Sequence, residues 1–94
     1  MPFARVVSFD GVSKDRMDQM ESEMRDGDPP EGFPPAEMVM LHDPEAEKSL
    51  AIVIFETEDD YARGDEILNA MPAGDTPGQR TSVARYNVAM RMKS

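Results

Sequence analysis

Histidine is the side-chain type that exchanges protons near neutral pH, and this chain has one, His42. A general base needs a neighbour to orient it. Asp43 is adjacent, but on an extended chain it points to the opposite face, which leaves His42 as a polar residue at a hairpin mouth. The segment HDPEAEK offers His42, Asp43, Glu45 and Glu47 as oxygen and nitrogen donors, yet this is the composition of a solvated turn, and no metal site is expected. The two phenols, Tyr61 and Tyr86, fall on elements whose apolar residues face an interior. There they are core residues with a satisfied hydroxyl, or they steer a planar aromatic ligand. Asn87 and Arg85 can join such a site only from the other face of their strand, so at most one of Tyr86 and Asn87 lines a cavity from that strand.

Other chemistry is excluded by absence. There are no cysteines, so no disulfide, thiolate metal site or cysteine nucleophile exists. No glycine-rich phosphate loop, dinucleotide fingerprint, nucleophile elbow or zinc-protease helix occurs, and no cofactor is expected. Nine methionines in 94 residues supply adaptable filler for a core or for an apolar ligand, with Met17, Met20, Met24, Met38, Met40, Met71, Met90 and Met92 as core candidates. The net charge is −9, with the acids concentrated in residues 15–28 and 43–60, which argues against nucleic acid and against an anionic membrane surface as partners. The segment from Arg80 to Lys93 is basic, and Arg85 or Arg91 is a candidate to meet an anion on a ligand or across an interface. No run approaches the roughly 20 apolar residues of a membrane span, and the opening residues MPFAR do not start a signal peptide, so a cytoplasmic location is expected.

The elements that position these groups follow from periodicity, and the length suits one domain over residues 1–94. FARVVSFDG reads as a strand stopped by Asp-Gly. SKDRMDQMESEMRDG reads as a helix capped by Ser13 and ended by Gly27, with Met17, Met20 and Met24 as a narrow apolar stripe. DPPEGFPPAE, with four prolines, is a loop carrying Phe33. MVMLH and SLAIVIFE form a hairpin. Thr57 caps a second helix whose face holds Tyr61, Gly64, Leu68 and Met71, ended by Pro72 and Gly74. TSVARYNVAMRM alternates as a fourth strand over residues 81–92. The fold class is α+β, a ferredoxin-like βαββαβ chain with a four-stranded antiparallel sheet and two helices on one face.

That fold leaves a puzzle in LAIVIF, residues 50–55, which is apolar on both alternating faces although the helices cover only one. Three apolar side chains on the bare face would expose on the order of 300 Å². A second copy packed sheet to sheet, about 10 Å away, hides them, so a homodimer is expected.

The spacing of ARVVSFDGVSKDRMDQM, FPPAEMVMLHDPEAEKSLAIVIFETEDDYARG and TSVARYNVAMR resembles the dimeric α/β-barrel superfamily, which includes the antibiotic-biosynthesis monooxygenase-like proteins. The resemblance spans almost the whole chain and implies sheets joined into a barrel, with a pocket between sheet and helices. Phe55 stands where several oxygenase members carry a tryptophan, and His42 does not match the helix position of the haem-degrading members. An adaptable, methionine-rich interior without a coherent acid–base set points to a homodimer holding a small apolar or aromatic molecule, with Phe33, Phe55, Tyr61 and Tyr86 as ligand-binding candidates. The alternative is a cofactor-independent monooxygenase of phenolic, polyketide-like substrates, with His42, Tyr86 and Asn87 as catalytic candidates. A third expectation is an interaction module whose dimer interface is its function.

Overall fold

The computed structural model describes residues 2–27, 31–70 and 78–92. The elements run β1 (Phe3–Asp10), α1 (Lys14–Asp26), β2 (Glu37–Asp43), β3 (Lys48–Phe55), α2 (Glu58–Asn69) and β4 (Gln79–Asn87). All pairings are antiparallel and the lateral order is β2-β3-β1-β4, consistent with the ferredoxin-like motif. The expected Met71, Pro72 and Gly74 lie outside the described residues.

Local chemistry sets the element ends. The Ser13 hydroxyl accepts the Arg16 amide at 3.1 Å, and the Gly27 amide donates back to the Glu23 carbonyl. Thr57 caps α2 by accepting the Asp60 amide at 3.1 Å, and Glu58, Asp59 and Asp60 complement the positive end of that helix. In the β2–β3 hairpin Asp43 accepts the amides of Glu45 and Ala46, and Glu47 adopts a left-handed φ of 54°. The Glu47 carbonyl in turn accepts the Val12 amide at 2.7 Å, which ties the hairpin to the β1–α1 loop.

β4 departs from expectation. It ends at Asn87 because β1 begins at Phe3, its partner there, and only one further bond, from the Val88 amide to the Pro2 carbonyl, extends the ladder. Residues 88–92 therefore leave the sheet. Met90 and Met92, expected in the core, are 75% and 84% exposed. Met24 and Met38 are also exposed, whereas Met20 is buried and Met17 packs on the core.

Register assigns every strand residue to a face. Phe3, Arg5, Val7 and Phe9 of β1 stand beside Phe55, Val53, Ala51 and Ser49 of β3, on the helix side. Val7, Phe9 and Val12 form one core cluster with Met17 and Ala51. Val53, Phe55 and Tyr61 form a second with Phe3, Phe33 and Leu68. α2 lies so close to the sheet that a Cβ on Gly64 would overlap the Phe55 ring, which has no exposed surface. That contact accounts for a glycine in the middle of a helix, where it costs about 1 kcal/mol relative to alanine.

Gly64→Ala is expected to lower stability by about 2 kcal/mol in urea denaturation, because the overpacking cost exceeds the gain in helix propensity. Adding Phe55→Leu to it should recover part of that loss, and strictly additive effects of the two changes would show that this contact does not set the helix–sheet distance.

Candidate functional site

The residues expected to do chemistry fall in three places. Phe33, Phe55 and Tyr61 come together: the Phe33 and Phe55 ring centroids are 5.9 Å apart, and Phe55 and Tyr61 are 5.7 Å apart, edge to face. Phe3 extends the group, 6.4 Å from Tyr61. The guanidinium of Arg85 lies 4.6 Å from the Phe3 ring centre and 4.9 Å from that of Tyr61, and reaches Glu58 at 3.6 Å. Arg85 thus closes the cluster at the start of α2. Its acid partner belongs to its own chain, as do those of Arg91, which binds Glu37 at 2.8 Å and Glu56 at 3.2 Å.

Tyr86 does not join this cluster. In register with Ala4 it projects from the uncovered side of the sheet and is 58% exposed, which corrects the expectation that it faces the interior. Asn87, beside Phe3, lies on the helix side and is exposed. His42 sits at the opposite end of the sheet, where its Nε2 is 2.9 Å from the Val12 carbonyl oxygen. A carbonyl only accepts, so Nε2 carries the proton and donates it. The ring is thereby a tie between β2 and the β1–α1 loop. Among the described residues no three His, Asp or Glu side chains converge on a common point where a metal ion could bind.

One interior polar group escaped the sequence reading. Arg5 is 4% exposed, and its Nε donates to Asp65 at 2.7 Å while Nη2 donates to Asn69 at 2.8 Å. Asp65 and Asn69 are one turn apart on α2 and bond each other at 3.3 Å. Alternation with Phe3, Val7 and Phe9 is the signal that places Arg5 inside. The pair crosses from β1 to α2 and sets the rotation of the helix over the sheet. Nearby, the Tyr61 phenol is raised above its ordinary value of 10.0, first by burial and then by the Asp65 carboxylate, with Arg5 and Arg85 opposing.

The uncovered side is the larger feature. Three cross-strand rows run from β2 to β4: Glu37, Ile54, Ala4, Tyr86; then Val39, Ile52, Val6, Ala84; then Leu41, Leu50, Ser8, Ser82. The middle row has no polar side chain. A fourth row, Asp43, Lys48, Asp10 and Gln79, closes one end with charge. At that end a concavity of about 600 Å³ opens among Ser8, Asp10, Leu41, Lys48, Leu50 and Ser82. It does not involve Phe33, Phe55, Tyr61 or Tyr86.

No protein-family model matches the chain, and no curated protein matches it.

In Tyr86→Phe the absorbance of ionised phenol at 295 nm reports Tyr61 alone, and its midpoint is expected above pH 10. The raised value means that the folded state holds this proton more tightly than the unfolded chain. The stabilisation is complete below about pH 10 and is lost as pH rises through the folded value. A midpoint at or below 10 would contradict the burial of this ring.

Proposed function

We propose that this protein acts by association rather than by catalysis: it is a homodimerising interaction module whose contact surface is the uncovered face of its sheet. The single observation that carries this reading is the middle row, Val39–Ile52–Val6–Ala84, flanked by Ile54, Leu41 and Leu50, an uncharged apolar surface on all four strands. Val39, Leu41, Leu50 and Tyr86 are exposed there. Four strands about 4.8 Å apart and eight residues long, at about 3.3 Å per residue, make a face of roughly 19 by 26 Å. That is on the order of 500 Å² in projection, and side-chain relief raises it towards the ~800 Å² per partner of a standard interface. A second copy supplies a matching apolar face without any further sequence requirement, since a two-fold interface is self-complementary.

The distribution of the polar groups supports a module over an enzyme. A phenol-activating monooxygenase would need a base and orienting donors around one substrate. Here Tyr86 is on one side of the sheet, Tyr61 on the other, and His42 is bonded to a main-chain carbonyl at the far end. A sheet-to-sheet pair is also what the resemblance to the dimeric α/β-barrel superfamily implies, and it remains our reading of that resemblance.

Sedimentation velocity is expected to give a dimer at micromolar concentration. Ile52→Lys, in the middle row, should give a folded monomer, because lysine on this face is tolerated in water and costs several kcal/mol in a dry interface. A wild-type chain that sediments as a monomer at tens of micromolar, with unchanged solubility in the lysine variant, would overturn the proposal.

A further inference from the structure

The uncovered face is not the same at its two ends, and this asymmetry goes further than the dimer itself. At one end lies the concavity, floored by Leu41 and Leu50 and edged by Ser8, Ser82, Asp10 and Lys48. At the other end the segment 88–92 leaves β4. Arg91 pins it by its two bonds to Glu37 and Glu56, at the end of the sheet where β2 begins and β3 stops. Glu37 belongs to the uncovered side, in register with Ile54, so Arg91 ties the segment to the edge of that face. Met90 and Met92 flank the pin and are the two most exposed large apolar side chains among the described residues. The molecule thus carries a hollow with an apolar floor at one end and two unpartnered thioethers at the other.

Two sheets packed face to face are related by a two-fold axis lying between them. When that axis runs along the strands, hollow meets hollow and methionine meets methionine, leaving the hollows unfilled. When it runs across the strands, each methionine pair arrives over the partner's hollow. We infer that the dimer uses the crosswise axis, and that Met90 and Met92 of each copy dock in the concavity of the other, against Leu41 and Leu50. The inference rests on the proposed homodimer. Methionine suits the role, because an unbranched thioether adapts to an irregular hollow, and about 600 Å³ accommodates two such side chains. The arginine pin reduces the freedom that docking would otherwise remove. Addition of both tails also brings the contact closer to the area of a stable interface.

The chain has no cysteine, so introduced thiols report geometry cleanly. The test is the double variant Leu50→Cys/Met90→Cys, oxidised gently and mapped by peptide mass spectrometry. Within one chain the two positions are separated by at least four residues of strand, about 13 Å, beyond the ~7 Å that a disulfide bridges. Intermolecular disulfides joining residue 50 to residue 90 are the expected product. Disulfides joining 50 to 50 and 90 to 90 would overturn the crosswise axis while leaving the dimer standing. A dimer by sedimentation that forms no disulfide at either pair would likewise overturn the docking. A monomeric wild-type chain would overturn both readings. In parallel, Met90→Ser/Met92→Ser is expected to weaken dimerisation at least tenfold with the urea midpoint of the isolated fold unchanged, and an unaltered dimer affinity would count against the tails.

Discussion

Two helices can cover only one side of a four-stranded sheet, and this geometric limit governs the rest of the molecule. Chains that live with a bare face usually alternate polar and apolar residues so that water is met by polar side chains. Here β3 does not alternate: Leu50, Ile52 and Ile54 face outward while Ala51, Val53 and Phe55 face the helices. β1 repeats the pattern with Ala4 and Val6 outward. The two central strands are thus built as strands buried on both sides. A domain of this length hides only about 60–65% of its unfolded surface, so additional burial on that face has a large effect relative to its own core.

On the covered side the arrangement is held by contacts that each join two elements. Phe55 against Gly64 sets how near α2 comes, and Arg5 with Asp65 and Asn69 sets how it is turned. Arg85 bridges β4, β1 and α2 through Glu58, Phe3 and Tyr61. At the other end Val12 is the knot: it is fully buried, its amide reaches Glu47 and its carbonyl receives His42. These ties use up the histidine, the interior arginine and the buried phenol in holding the fold. The uncovered face carries the apolar row Val39, Ile52, Val6 and Ala84, with the Tyr86 phenol exposed beside it. A partly buried ion pair such as Arg5–Asp65 adds little net energy but fixes one helix orientation among several that the apolar contacts alone would allow.

The fold was legible because periodicity is strong where it matters. Strand-forming residues stopped by Asp10-Gly11 marked β1, a continuous apolar run marked β3, period-two alternation marked β4, the methionine stripe and caps marked α1, and Thr57 with three acids marked α2. The site was less legible, for specific reasons. Alternation in YNVAMRM continues past Asn87, but a strand ends where its partner's pairing ends, and the β1 register with β4 begins at Phe3. Alternation with Ala84 and Val88 points Tyr86 inward. Parity alone does not say which of two apolar faces the helices occupy, and β4 has apolar residues on both. The charge of Arg5 suggests a surface position, although its place between Phe3 and Val7 says otherwise. Phe33, Phe55 and Tyr61 come together because a proline-rich loop, a strand end and a helix start meet at one corner of this topology.

The proposed association through the face, rather than through an edge, is also favoured by how the edges are built. An open strand edge recruits other strands unless something interrupts it. β2, one edge, is seven residues long and bounded by Pro34 and Pro35 before it and Pro44 after it, so the ladder cannot be prolonged at either end. β4, the other edge, carries Arg80 and Arg85 and is broken by an irregularity at Thr81, where the register slips between Ser8 and Phe9 and the Thr81 hydroxyl bonds the Ser8 carbonyl. Such a bulge turns the strand away from straight pairing. In the proposed dimer, short, charged and kinked borders around an apolar centre favour docking of a second copy on that centre. The rows of charge at Asp10, Lys48 and Asp43 and at Glu37, Glu56 and Arg91 then stand at the two ends as a polar rim, where exposed ion pairs add little energy but penalise misplaced partners.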